Sequence, residues 1–195
     1  AAKGKQEGEL NLWTVNLGDL TWTYIERPPP RELDLLSKLY PFFHPLNLED
    51  CLSRIQRPKI DEYDEHMFVV LHFPVFDKQA RISHPSEVDL FIGKNFLVTV
   101  HCSGDLKPLA KLFKECQLDG QLCRRYMEQG SGYLFYQVID RLVDAVFPML
   151  DKINDNIESL QDAVISKPVP QTARGILVVR RDIISMRRII RPQID

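Results

Sequence analysis

Val88-Asp89-Leu90-Phe91-Ile92-Gly93-Lys94-Asn95-Phe96-Leu97-Val98-Thr99-Val100-His101 reads as two strands folded about a Gly-Lys-Asn turn. Val88 to Ile92 and Phe96 to His101 are rich in β-branched and aromatic residues, and the three residues between them are a hairpin signal. Upstream, the apolar run Met67 to Phe73 has the composition of a strand buried on both faces. Nearer the N-terminus, Leu10 to Leu17 and Leu20 to Ile25 are short Trp-, Thr-, Val- and Ile-bearing runs separated by Gly18-Asp19, which predicts a further strand pair. The expected fold class is therefore α/β, a mixed β-sheet flanked by helices.

The helices are read from spacing and punctuation. Pro28-Pro29-Pro30 ends the first strand pair, and Leu33, Leu36 and Tyr40 then recur at helical intervals until Pro41. Asn47 is expected to cap a second short helix running to about Arg54, which would put Glu49 and Asp50 in its first turn. From Leu106 to Tyr126 the pattern is helical, with Leu109, Leu112 and Phe113 on one face, and Gly130-Ser131-Gly132 marks a boundary. Beyond it, Val146, Leu150, Ile153, Ile157, Leu160 and Val164 alternate steps of four and three. Ser166 to Thr172, with Pro168 and Pro170, turns the chain, and Ile176, Val179, Ile183, Met186 and Ile190 resume the alternation. This predicts a long antiparallel helical hairpin. The expected division is a flexible N-terminus at 1–9, an α/β domain at 10–130, and the hairpin with the beginning of a stalk region at 131–195.

Charge is segregated along that hairpin. Its first helix carries Asp140, Asp144, Asp151, Asp155, Glu158 and Asp162, and its second Arg174, Arg180, Arg181, Arg187, Arg188 and Arg191. Pairing an acidic with a basic helix is electrostatically favourable, although exposed pairs contribute only about 0–1 kcal/mol each. The apolar seam has to supply the stability.

Composition excludes several functions. A formal net charge of −2 offers no basic field for nucleic acid or an anionic membrane surface. The longest apolar runs, such as Met67 to Leu71, fall far short of the roughly 18 residues a spanning helix needs. Cys51, Cys102, Cys116 and Cys123 form no CxxC pair and fit free thiols in a reducing, intracellular compartment. No Gly-rich phosphate loop, nucleophile elbow, H-E-x-x-H pair or zinc-ligand spacing occurs, so an enzyme is not expected. His44, His66, His72, His84 and His101 are scattered, and read as core or surface residues rather than ligands.

Carboxylates are the remaining candidates for chemistry. Asp140/Asp144 and Asp151/Asp155 stand four apart, and like charges at that spacing repel by a few tenths of a kcal/mol. Either water or a bound divalent cation offsets that cost, and the outer face of a helical hairpin is ordinarily solvated. Adjacent Glu49 and Asp50 in a first helical turn would be ordinary partners of the helix dipole. They would also suffice for half of a weak, water-rich magnesium site, which needs one or two carboxylates from each side.

The segment His44-Pro45-Leu46-Asn47-Leu48-Glu49-Asp50-Cys51-Leu52, followed by Gln56-Arg57-Pro58-Lys59-Ile60-Asp61-Glu62-Tyr63, closely resembles the H-P-x-x-x-E-D stretch and R-P-K continuation of CorA-type transporters. Phe96 to His101, then Tyr133-Leu134-Phe135-Tyr136 leading to Asp140 and Asp144, then Arg187-Arg188 with Pro192 follow in the family's order. The resemblance implies the N-terminal cytoplasmic domain of a homopentameric magnesium (or Co2+ or other divalent-cation) transporter. It also implies that carboxylates facing the neighbouring subunit bind divalent cations and hold the pore closed. Carried over, these are Glu49 and Asp50, with Asp140 or Asp144 as second contributor, and Mg2+ as the ion. On the same resemblance the chain stops at Asp195, before the rest of the stalk, two hydrophobic spans and the Gly-Met-Asn pore signature. The full-length protein would then be membrane-embedded, with this part on the cytoplasmic side. The alternatives are a zinc-transporting relative of the same fold, a stand-alone protein-binding module using the hairpin, and a metal-dependent hydrolase built on clustered carboxylates.

Overall fold

Two short strands, β1 (Leu12–Leu17) and β2 (Leu20–Glu26), open the fold as an antiparallel pair closed by Gly18 at φ 55°. The computed structural model describes residues 10–28, 30–52, 56–101, 103–166 and 169–194. Next come α1 (Pro30–Leu39), α2 (Pro45–Asp50), β3 (Lys59–Glu62), β4 (His66–Asp77), β5 (Ile82–Gly93) and β6 (Phe96–His101). Then follow α3 (Lys107–Leu118), α4 (Gly120–Met127), α5 (Ser131–Asp144), α6 (Phe147–Ser166), α7 (Val169–Ile190) and a 3-10 turn at Arg191–Gln193. The strands form one sheet in the order β1-β2-β6-β5-β4-β3, mixed because β2 and β6 run parallel while every other pair is antiparallel.

Strand alternation divides the core into two layers. Trp22, Tyr24, Val88, Leu90 and Leu97 point to one face, against Leu109, Leu112 and Phe113 of α3, Cys123 and Met127 of α4, and Leu134, Val138 and Leu142 of α5. Their strand neighbours Ile25, Phe68, Val70, Phe91, Val98 and Val100 point to the other face, against Leu33 and Leu36 of α1, Phe43, and Leu48 of α2. Both faces of the central strands are thus buried, as the continuous apolar runs require. α5 begins just past the division expected at residue 130, and three of its side chains pack in the same layer as α3 and α4.

Several elements differ from the sequence reading. β3 is an additional strand, short and half exposed, with little hydrophobic signal. β4 and β5 are each 12 residues long, and their outer halves form a two-stranded ribbon in which Pro74 faces Pro85. Neither β3 nor β6 reaches those positions, so the missing proline N–H groups break no third ladder. The helical stretch from Leu106 splits at Asp119, whose Oδ1 accepts from the N–H groups of Gln121 and Leu122 at 2.8 and 3.2 Å and so starts α4. α2 is capped by His44, whose Nδ1 accepts from the Leu46 N–H at 3.2 Å, and not by Asn47. The expected frayed segment 1–9, the end of α2 at Arg54, Cys102 and Pro168 lie outside the described residues.

The helical hairpin is present as α6 against α7, but its seam is more open than the heptad pattern predicts. Val179, Met186 and Ile189 of α7 and Ala163 of α6 are buried, while Ile176 and Ile183 remain about half exposed. The reason is that α7 divides its apolar surface between α6 and the β4–β5 ribbon, against which it also packs. The ion pair seen on the hairpin is Arg181 with Asp182 at 3.0 Å, inside α7 and not across the seam. The charge segregation does not translate into a ladder of interhelical pairs among the described residues, Asp162 aside. Two polar ties fix α7 to the ribbon. Arg181 Nη2 donates to the carbonyl of Arg81 at 2.6 Å, and the Gln193 side chain donates to the His72 carbonyl at 2.7 Å while accepting from its N–H at 2.9 Å.

Candidate cation site

α2 is short, and its placement depends on the residues at its ends. Leu48 packs in the core and Asn47 is buried, with Nδ2 donating to the Tyr63 hydroxyl at 2.9 Å. The Tyr63 ring in turn lies flat on His66, with centroids 4.7 Å apart. With one face so pinned, the helix presents Glu49 exposed and Asp50 half-buried. Because the helix begins at Pro45, the two carboxylates are its last residues and no acid occupies its first turn. The dipole at a helix C-terminus disfavours negative charge, so the pairing with a helix N-terminus expected from the sequence does not hold them there.

A neighbouring cation does. Lys59 Nζ on β3 lies 3.0 Å from Asp50 Oδ2 and 2.8 Å from Asp61 Oδ2, and 5.3 Å from the centroid of the Phe68 ring. Hydrogen bonds to Asp61 and Asp50 raise the Lys59 pKa against an opposing burial effect, so it is a full positive charge at neutral pH. Deeper on the same sheet face, Asp89 is buried with no hydrogen-bond partner for Oδ1 among the described residues, and its carboxyl is pushed well above the usual range by burial and then by Glu87. Glu87 itself accepts from His72 Nε2 at 3.2 Å and from the Gln56 backbone N–H.

Asp140 and Asp144 lie elsewhere. They are exposed on α5 and border an open groove of about 620 Å³ that is also lined by Lys107, Lys111, Arg125 and Arg141. Arg141 is fixed by the Tyr126 hydroxyl at 3.1 Å and Glu115 at 3.5 Å. The negative charge of Asp140 raises the pKa of the exposed Tyr136 phenol one helical turn away.

The two carboxylate pairs are therefore on opposite faces of the sheet, Glu49 and Asp50 on the α1–α2 face and Asp140 and Asp144 on the α3–α5 face. One chain does not bring them together, and among the described residues no three His, Cys, Asp or Glu side chains converge to hold a metal. Each pair supplies hard oxygen donors of the kind a partly hydrated Mg2+ takes. Lys59, read in the sequence only as part of the R-P-K continuation, is the cation that the fold brings to Asp50. Its signal was present in Lys59-Ile60-Asp61-Glu62, since strand periodicity puts Lys59 and Asp61 on one face.

Comparisons with known proteins agree with this architecture. Residues 18–195 match the family model described as CorA-like Mg2+ transporter protein. The chain is 31% identical over 183 residues to YfjQ of Bacillus subtilis, a protein named as a metal ion transporter, covering 93% of this chain and 54% of that one. It is 30% identical over 175 residues to the cobalt/magnesium transport protein CorA of Thermotoga maritima, covering 88% and 48% respectively. It thus spans about half the length of these curated relatives. Among solved structures, the soluble domain of CorA from Methanocaldococcus jannaschii superposes with a TM-score of 0.72 at 21% identity, over 89% of this chain and 67% of that one. The ZntB cytoplasmic domain from Vibrio parahaemolyticus gives a TM-score of 0.69 at 17% identity, over 89% and 66%.

Proposed function

The chain belongs to the CorA-like Mg2+ transporter family, a family of transporters and not of enzymes, and from that premise we propose that it is the cytoplasmic regulatory part of a divalent-cation transporter. In this reading identical subunits, five in number, assemble so that Glu49 and Asp50 of one face Asp140 or Asp144 of the next, and intracellular Mg2+ bridges them. The observation that carries it is the placement of the two pairs on opposite faces of one chain, each solvent-accessible and each short of ligands. A head-to-tail contact between chains is the arrangement that converts two such half-sites into whole ones, and it closes into a ring.

Regulation then follows by linkage. A cation that binds only the arrangement in which both carboxylate pairs meet stabilises that arrangement by its differential affinity. When the cation is depleted, unscreened acids repel and the contact loosens. Several weak sites acting together around a ring sharpen the response. The fold is shared with a ZntB domain, so it does not discriminate between ions. Hard carboxylate oxygens suit a hydrated Mg2+, and neither pair carries the thiolate or imidazole donors of the usual zinc sites.

The test is calorimetric titration of the intact protein with Mg2+. Glu49→Ala with Asp50→Ala, and separately Asp140→Ala with Asp144→Ala, are each expected to abolish most of the binding heat. Unchanged binding in both would sink the assignment.

A further inference from the structure

Asp50 already has a cation in place, and that cation is part of the chain. Lys59 Nζ bridges Asp50 Oδ2 and Asp61 Oδ2 at 3.0 and 2.8 Å, with the three side chains between 23% and 35% exposed. The ammonium lies 5.3 Å from the centroid of the Phe68 ring, and the backbone of Lys59 is fixed in β3 by pairing with Val70 of β4. The ammonium is therefore held at the carboxylate by a covalent tether of one side chain's length.

We propose that Lys59 is a tethered competitor for the divalent cation at Asp50, setting the cation concentration at which the site fills and excluding monovalent ions from it. The inference rests on the reading of Glu49 and Asp50 as half of a cation site. An ammonium and a metal ion repel each other at one carboxylate, so the metal binds Asp50 more favourably once Lys59 has moved off it. Asp61 gives Lys59 somewhere to go, because it is already bonded to the same nitrogen, so displacement costs one of two contacts and leaves no ion stranded. A free monovalent ion brings no more charge than the ammonium and lacks its tether, which holds the competitor at an effective concentration in the millimolar range or above. A divalent ion brings about twice the Coulomb attraction at equal distance and displaces it. At the end of α2 the ammonium also offsets the unfavourable position of Asp50 relative to the helix dipole.

The experiment is Mg2+ calorimetry on the intact protein, with Lys59→Met, which keeps an unbranched side chain and removes the charge. Its Kd for Mg2+ is expected to fall by about two- to five-fold, the factor corresponding to a partly exposed ion pair. K+ is expected to become a measurable competitor of Mg2+ in that variant and not in the parent. Asp61→Asn, which removes the alternative partner, is expected to raise Kd. In an Asp50→Asn background Lys59→Met is expected to change nothing, since the effect runs through that carboxylate and not through a general field. An unchanged or weaker Kd in Lys59→Met, while Glu49→Ala with Asp50→Ala abolishes binding, overturns the competitor role and leaves the site standing. If the alanine pair also binds like the parent, the site itself is refuted.

Discussion

At the residue scale, the central sheet buries polar side chains, and His101 shows the consequence for stability. His101 Nε2 lies 2.7 Å from the Tyr24 hydroxyl, which lies 3.2 Å from Glu26 Oε2. A carboxylate only accepts, so Tyr24 gives its proton to Glu26 and accepts from Nε2–H of a neutral imidazole. Burial pushes the His101 pKa down to about 4. The unfolded chain, with an ordinary histidine near 6.5, binds the proton first as pH falls. The contribution of His101 is thus fully present above about pH 6.5 and is lost as pH drops towards 4, on the order of 3 kcal/mol in all. Thermal melts from pH 7 to 4 are expected to show a flatter decline for His101→Gln, which retains a donor for Tyr24 and carries no charge. Parallel curves would remove His101 from the acid response. His66, also buried and lowered, keeps part of the slope in the variant.

Among the elements, the β4–β5 ribbon and α7 depend on one another. The ribbon runs past its neighbouring strands, so its backbone polar groups need partners from outside the sheet. Gln193 supplies a pair of hydrogen bonds to His72, acting as a fragment of an additional strand, and Arg181 bonds the ribbon's tip at Arg81. Gly175 permits close packing within the hairpin, since a Cβ there would meet Leu160 Cδ2 at 2.3 Å. Gln193→Ala is expected to cost about 1–2 kcal/mol and to speed hydrogen exchange of the His72 amide specifically. An unaltered exchange rate at His72 would show that the tie is not formed in solution.

For the whole molecule, the sheet acts as a spacer that separates two acidic half-sites. Its thickness and its two packed layers prevent Glu49 and Asp50 from reaching Asp140 and Asp144 within one chain. On the proposed function, cation binding and chain association form one equilibrium, and each strengthens the other. Sedimentation velocity is expected to shift towards the assembled form on adding excess Mg2+, and Asp50→Ala with Asp144→Ala is expected to suppress the shift. A cation response of the monomer alone would contradict it.

The β1–β2 pair, the cores of β4, β5 and β6, the first helix and the hairpin were legible in the sequence, because apolar periodicity and turn residues are local, and Glu49 and Asp50 stood out because their motif is contiguous. Strand order, the edge strand β3, and the sharing of α7 between α6 and the ribbon were decided by tertiary packing, which couples residues far apart in the chain. So was the electrical state of the site. Sequence put Glu49 and Asp50 at a favourable helix start, whereas the fold starts α2 at Pro45, leaves them at its unfavourable end, and brings Lys59 across from a strand to balance them. Side-chain identity determined which groups carry charge. Only the fold, by setting distances of about 3 Å between them, decided which charge answers which.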